Sequence, residues 1–142
     1  MGFRNRLGKQ QFVKNIIVVF PKKFTARKSQ IKGHAHEKIT SLGEGVAIKI
    51  MDSRTICDTR MVEFMKNQAT QNNIKFQTEV LTAGGTDTSA IQQMTAGGAI
   101  SGAISIPTRH IHQVIEMCHK QDIQNAIDLL VTCLTNLDSL KK

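Results

Sequence analysis

Hydrophobic and polar positions follow a regular pattern along most of the chain, and four stretches are typical of β-strands. Each is rich in β-branched or apolar residues and is bounded by glycine, proline or polar residues. The last stretch is apolar almost throughout, which is typical of a buried central strand, and Pro107 is expected to end it. Gly43-Glu44-Gly45 is a turn signal between the first two. The predicted strands are residues 36–42, 46–51, 75–81 and 99–106.

The spacing of apolar residues at three and four predicts a helix after the second strand. Asp58 or Thr59 can cap it, because their side-chain oxygens accept hydrogen bonds from the first helical N–H groups. The helix runs to about residue 72. Its inward residues are Val62, Met65 and Ala69.

Two more helices follow. Residues 89–95 form a short helix ended by Gly97-Gly98, and residues 122–140 form a long amphipathic one. The order β-β-α-β-α-β-α implies an α/β layer architecture with helices on the faces of the sheet. The residues of the last helix that are expected to face inward are Ile123, Ala126, Ile127, Leu130 and Leu134.

Composition narrows the class of protein. The 142 residues fit one domain, and 40% hydrophobic residues suffice for a core. No apolar run approaches the roughly 20 residues that span a membrane. Trp and Tyr are absent, which argues against a platform for stacked bases. Three cysteines without a CxxC motif argue against a disulfide scaffold or zinc finger and favour a reducing, cytoplasmic location.

The net charge of +8 is concentrated at one end of the chain. Residues 1–38 contain ten Lys or Arg and one acid, Glu37, whereas residues 39–142 are nearly neutral. The basic segment is consistent with a nucleic-acid-binding arm, with an organelle targeting segment, or with a stretch not selected to fold with the rest, such as an out-of-frame start. We expect residues 1–38 to pack poorly on residues 39–142, although residues 16–20 have the pattern of a strand.

Two histidines follow the predicted central strand. If the backbone there is extended, His110 and His112 point to the same face, where they could bind a metal or move a proton. Glu116 could orient one of the imidazoles. The alternative is a pair of partly buried loop histidines. A second pair, His34 and His36, is expected to be solvated.

The loop at residues 84–87 (GGTD) joins a strand to a helix. Its N–H groups could bind an anion, but it lacks the spacing of a nucleotide-binding loop. Spacing alone favours Asp87 as a helix cap over a catalytic role. Cys118 has no activating base that the sequence can place, whereas Cys57 and Cys133 lie on apolar patterns and are expected in the core.

Three segments in register carry a specific resemblance: residues 42–52 (LGEGVAIKIMD), 83–91 (AGGTDTSAI) and 106–112 (IPTRHIH). From about residue 36 onward, the chain closely resembles the C-terminal part of the deblocking and glutamyl aminopeptidases. These are tetrahedron-forming metalloaminopeptidases, some of them labelled endoglucanase M. The resemblance implies a phosphorylase/hydrolase-like α/β sheet, incomplete in this chain. It also implies two zinc or cobalt ions, release of N-terminal amino acids from peptides, and a homo-oligomeric shell.

The resemblance also implies roles for particular residues. His112 matches the family's final metal-ligand histidine, Glu116 the acid that follows it, and Asp87 the loop near the substrate pocket. His110 replaces the family's usual tyrosine and Gln113 its usual serine, so the residues beside His112 differ from those that support this histidine in the family. Nothing in this sequence matches the family's other ligands, its catalytic glutamate or its inserted oligomerisation domain. Residues 1–36 contain no Asp or Glu.

We therefore expect the C-terminal fragment of a metalloaminopeptidase, inactive as this chain alone, because a two-metal site needs several carboxylates and a base. The alternative is a non-enzymatic module whose basic arm binds nucleic acid or an acidic partner.

Overall fold

A computed structural model of the chain describes residues 14–17, 23–24, 39–112 and 114–140, and side chains only within the last two ranges. The described part contains seven strands and three α-helices. The strands are β1 Lys14–Ile17, β2 Lys23–Phe24, β3 Val46–Met51, β4 Phe76–Val80, β5 Ile100–Ser105, β6 Pro107–Arg109 and β7 Met117–Cys118. The helices are α1 Thr59–Gln71, α2 Thr88–Met94 and α3 Lys120–Thr135, with a 3-10 turn at Leu137–Ser139.

The main sheet has the strand order β1-β5-β3-β4 and mixes both pairing directions. β1 is parallel to β5 with Lys14 opposite Ile100, and β3 is parallel to β4. β5 is antiparallel to β3, with Ile104 opposite Ile48. A smaller sheet has the order β2-β6-β7. The α/β class is confirmed, as is the prediction that the apolar run at residues 99–106 is a buried central strand.

Helix α1 lies against the middle of the sheet and contributes five of the fourteen buried core residues. Asp58 caps it as predicted, accepting a hydrogen bond from the backbone N–H of Arg60 at 2.9 Å. The predicted inward residues Val62, Met65 and Ala69 are all buried. Gly102 of β5 allows the close approach, because a Cβ atom there would lie 2.5 Å from Met61 Cγ. A larger residue at that position would therefore force the side chains of Met61 and Met65 to move.

Helix α3 packs on α1 and on the same part of the sheet, but with a different face than predicted. Ile127 and Leu134 are about half exposed, so the predicted inward stripe is wrong at these positions. Ala126 is buried as predicted, whereas Ile123 and Leu130 are only partly buried. The buried face of α3 is rotated from the predicted one because it includes a buried acid, which a search for apolar residues does not detect. The buried residues of α3 are Asp122, Asn125, Ala126, Leu129 and Cys133.

Asp122 is the reason for that rotation. Its two carboxylate oxygens accept hydrogen bonds from the backbone N–H groups of Gly43 and Gly45 at 2.8 and 2.9 Å. Both glycines have positive φ, +78° and +93°, which confirms the predicted turn. Helix α3 is thereby fastened to the loop that leads into β3.

Two strand boundaries also differ from the prediction. Of residues 36–42, the first three lie outside the described residues. In residues 39–42 only Thr40 forms a bridge, and the side chain of Gln77 takes over the pairing at Ser41. Pro107 does not end the extended structure but begins β6, which pairs with β2 in the smaller sheet. Proline fits the first position of a strand because it has no N–H to contribute.

Candidate functional site

The loop at residues 84–87 is fastened to the turn that follows β3. The backbone N–H and the hydroxyl of Ser53 both donate to the carbonyl oxygen of Gly84, at 3.1 and 2.7 Å. The hydroxyl of Thr86 donates to Asp52 Oδ2 at 2.9 Å. Asp87 is exposed and occupies the cap position of α2 with helical backbone angles, but it makes no capping hydrogen bond. The prediction that Asp87 caps this helix through its side chain is therefore wrong.

The two histidines lie in a left-handed turn after β6. His110 and His112 each have φ of +60°, so the extended backbone on which their shared face depended is absent. Both are exposed. Histidine tolerates this left-handed region better than most residues, and such a conformation is found in tight turns.

Glu116 closes this turn. One of its carboxylate oxygens accepts a hydrogen bond from the backbone N–H of His112 at 2.8 Å. Glu116 therefore holds the backbone of the turn from four residues away. The side chains of the two residues before it, Val114 and Ile115, are exposed.

The sheet separates the two segments that the resemblance placed at one site. The loop at residues 84–87 is bonded to the turn after β3, whereas His110 and His112 follow the C-terminal end of β5 through β6. Because β3 and β5 are antiparallel, these two ends lie at opposite edges of the sheet. Asp87 and the histidine pair thus form no single cluster.

The described residues contain no group of three or more His, Cys, Asp or Glu side chains that could hold a metal ion. Catalytic zinc sites usually use three protein ligands and structural ones four. His112 and His110 do not meet that requirement with the described residues, so these residues do not fit a two-metal centre. His34 and His36 lie outside the part that the structure describes.

A buried cluster of charges, which the sequence analysis missed, lies beneath the loop at residues 84–87. Lys49 Nζ is 3.2 Å from Asp52 Oδ2 and 3.6 Å from Glu79 Oε2, and all three side chains are buried. Ser105 of β5 donates to Glu79 Oε2 at 2.7 Å. The sequence signal for this cluster was a lysine within VAIKIM and a glutamate within FQTEV. Both charges lie inside strands, where a sheet covered by helices buries them. A buried charge requires a partner.

The environment of this cluster shifts the pKa values of its two carboxyl groups in opposite directions. Burial raises the pKa of Glu79 above its ordinary value, although the charge of Lys49 and the hydrogen bond from Ser105 oppose the rise. Burial also acts to raise the pKa of Asp52. Hydrogen bonds from the backbone of Arg54 and from Thr86, together with the charge of Lys49, outweigh it, so the pKa of Asp52 is lowered.

We expect Glu79→Gln to remove part of the pH dependence of stability. Because the pKa of Glu79 is raised in the folded state, its stabilising contribution is complete below the ordinary value of 4.5 and is lost as pH rises through the folded pKa. When urea unfolding is measured at increasing pH from 4.5 to 7, the stability of the variant should therefore increase relative to that of the parent chain. Lys49 and Asp52 are the charged groups that face Glu79.

Glu63→Gln is the matched control, since Glu63 is exposed on α1 and forms a surface ion pair with Lys66 at 3.0 Å. Its unfolding curve should keep the pH dependence of the parent chain. A Glu79→Gln profile parallel to that of the parent would contradict the expected effect of burial.

The cysteines lie as the sequence indicated. Burial raises the pKa of Cys57 to about 11 and that of Cys133 to about 12, so both are neutral core thiols at physiological pH. Cys118 is exposed on β7. In the described residues no helix is long and apolar enough to cross a membrane.

Comparison with known proteins places this fold among the aminopeptidases. The structure of the TET aminopeptidase from the archaeon Thaumarchaeota archaeon SCGC AB-539-E09 superposes with a TM-score of 0.69 at 28% identity, covering 89% of this chain and 34% of that one. The Pyrococcus horikoshii TET1 peptidase, which can assemble into a tetrahedron or a large octahedral shell, superposes with a TM-score of 0.59 at 28% identity. That match covers 66% of this chain and 27% of the other.

Sequence comparison gives the family. The profile of the M42 glutamyl aminopeptidases matches residues 12–129, and the chain belongs to this family. A protein of Acetivibrio thermocellus named "Putative aminopeptidase" is 42% identical over 100 residues, which are 70% of this chain and 30% of that protein. The chain thus spans less than a third of the length of this relative. The family match begins at residue 12, ahead of the start near residue 36 at which the motifs become visible.

Proposed function

We propose that this chain supplies the C-terminal part of a metal-dependent aminopeptidase catalytic domain that releases N-terminal amino acids from peptides, and that it has no such activity alone. The family match over residues 12–129 carries the first half of the proposal. The second half rests on the donor groups of the described residues, among which no three or more His, Cys, Asp or Glu side chains come together to hold a metal ion. A divalent ion, zinc or cobalt, would polarise the peptide carbonyl and activate water when a complete site holds it.

Within this proposal, His112 would supply an imidazole to the metal centre, and Glu116 would position it by fixing the backbone N–H of the same residue. His110 would lie beside the centre, and Asp87 would lie in a loop that contacts the peptide. Asp87 and His112 lie at opposite edges of the sheet. We therefore infer that, in the complete enzyme, polypeptide outside this chain forms the pocket through which a peptide reaches the loop. We extend homo-oligomeric assembly to the complete protein on the strength of the TET1 relative.

We expect the isolated chain to hydrolyse neither leucyl nor glutamyl anilides when cobalt or zinc is added. Calorimetric titration should show weak metal binding, because His112 and His110 together offer at most two imidazole ligands. His112→Ala is the control in both measurements. Metal-dependent turnover that disappears in His112→Ala would overturn the proposed inactivity and show that other residues, or a second chain, complete the site.

A chimera tests the positive half of the proposal. The 100 matching residues of the Acetivibrio thermocellus relative are replaced with those of this chain, and metal-dependent hydrolysis is compared with that of the unaltered relative. Activity in the chimera, reduced at least about 100-fold by His112→Ala, is the expected result, since even groups that merely support a ligand are worth about 10- to 100-fold. A chimera that folds but is inactive, beside an active relative, would refute it.

The alternative of a nucleic-acid-binding arm depends on residues 1–38. The structure describes only the strands β1 and β2 of that segment, so neither the arm nor its poor packing is tested by the described residues.

A further inference from the structure

The turn after β3 is organised around one buried carboxylate. Asp52 Oδ1 accepts hydrogen bonds from the backbone N–H groups of Arg54 and Thr55 at 3.0 and 2.9 Å. Its other oxygen, Oδ2, accepts from Lys49 Nζ at 3.2 Å and from the Thr86 hydroxyl at 2.9 Å. Asp52 is 2% exposed, so water contributes little to these contacts. Both of its oxygens are therefore committed, one to the turn and one to Lys49 and the loop at residues 84–87.

The contacts fix the loop from two sides. Thr86 is held by Asp52, and Gly84 is held by Ser53, the residue directly after Asp52. Gly84 has φ of +80°, and a Cβ atom at Gly85 would lie 2.6 Å from Arg54 Cδ, so the loop follows the surface of the turn closely. Displacing Asp52 would therefore loosen the loop at both points.

We propose that Asp52 is a positioning residue, held by Lys49, that fixes the loop at residues 84–87 through the Thr86 hydroxyl. It acts through the loop and contacts no substrate itself. The inference rests on the proposed function, because the loop matters to the reaction only if the complete enzyme presents Asp87 to a peptide. The placement of the loop is measurable in this chain alone, so the two ideas can fail separately.

The first test compares Thr86→Val with Thr86→Ser. Valine has the shape of threonine without the hydroxyl, whereas serine keeps the hydroxyl that Asp52 accepts. The reporters are the backbone amides of Ser53 and Ser89, which donate to the carbonyls of Gly84 and Thr86 at 3.1 and 3.0 Å. Hydrogen exchange of these two amides, followed by NMR in the full chain, reads the opening of the loop.

Thr86→Val should raise the exchange rates of Ser53 and Ser89 about tenfold, the effect expected for losing a hydrogen bond to a charged group. Thr86→Ser should restore rates near those of the parent chain. The amides of Val62 and Ile74, which donate to Asp58 and Ala69 around helix α1, serve as references and should not change. Equal acceleration of the references would indicate a general loss of stability and would overturn the proposal. Unchanged rates in Thr86→Val, or no recovery in Thr86→Ser, would overturn it as well.

The second test asks whether Thr86 acts through Asp52. In an Asp52→Ala background, where both carboxylate oxygens are gone, adding Thr86→Val should accelerate exchange at Ser53 and Ser89 no further. Full additivity of the two substitutions would assign Thr86 to a different partner and refute the role given to Asp52. If Asp52→Ala does not fold, the comparison of valine with serine at position 86 decides alone.

Discussion

Replacing Lys49 with methionine should lower the free energy of unfolding by about 3–5 kcal/mol, the cost of leaving buried carboxylates without their cation. Lys49 is fully buried between Asp52 and Glu79, and methionine approximates the shape of its side chain without the charge. Glu79 can relieve part of the cost by taking a proton, since burial already raises its pKa. Urea unfolding monitored by circular dichroism at pH 7 measures the change.

Lys66→Met is the matched control. Lys66 pairs with Glu63 on the surface of α1 at 3.0 Å, where 30% and 62% of the two side chains are exposed. Surface pairs of this kind contribute at most about 1 kcal/mol, so the control should unfold close to the parent chain. Adding Glu79→Gln to Lys49→Met should recover part of the stability by removing one of the two charges. Equal stabilities for Lys49→Met and Lys66→Met would show that the buried cluster contributes little.

Asp122→Ala should lower the free energy of unfolding by about 3 kcal/mol. The carboxylate accepts from the N–H groups of both Gly43 and Gly45, and each buried donor left without a partner costs about 1–3 kcal/mol. The effect should be strongest at the junction between the turn and helix α3, which hydrogen exchange at Gly43 and Gly45 reports.

Asp128→Ala provides the comparison within the same helix. Asp128 is exposed, and its carboxylate accepts a hydrogen bond from the side chain of Gln124 in the preceding turn, at 2.8 Å. Its loss should change stability by less than about 0.5 kcal/mol. A larger loss for Asp128→Ala than for Asp122→Ala would mean that charge along the helix, and not the tie to the glycines, determines stability.

The elements that local rules govern were predictable. Helix α1 has its cap at Asp58 and its apolar residues at helical spacing, and both features formed as expected. Strand β5 was identifiable because a continuous run of small and branched apolar residues fits only the middle of a sheet. Such signals lie within a few residues of each other, so a single sequence displays them.

The predictions of secondary structure that were wrong depend on contacts between residues that are distant in the sequence. Gln77 replaces backbone pairing at Ser41, 36 positions away, which turned a predicted strand into a single bridge. Asp122 rotates helix α3 because it binds a turn 77 to 79 positions earlier. An apolar pattern counts neither contact, since both are made by polar side chains that tertiary structure buries.

The candidate site was predictable by resemblance more than by physics. The segments at residues 83–91 and 106–112 identified the family correctly, and the family match confirms it. Their arrangement was not predictable, because it depends on the antiparallel pairing of β3 with β5. The left-handed turn at His110 and His112 could not be predicted either, since a histidine in the sequence does not indicate a positive φ as a glycine does.

The pairing of β1 with β5 has a consequence for synthesis on the ribosome. Lys14 lies opposite Ile100, so about 86 further residues must be added before the partner of β1 exists. At a translation rate of about 5–20 residues per second, β1 remains without its partner strand for roughly 4 to 17 seconds, whereas hairpins form in microseconds. Strands β3 and β4 can pair well before then. During translation, therefore, the sheet is assembled from its β4 side, and β1 is the strand most exposed to capture by a chaperone or by another nascent chain.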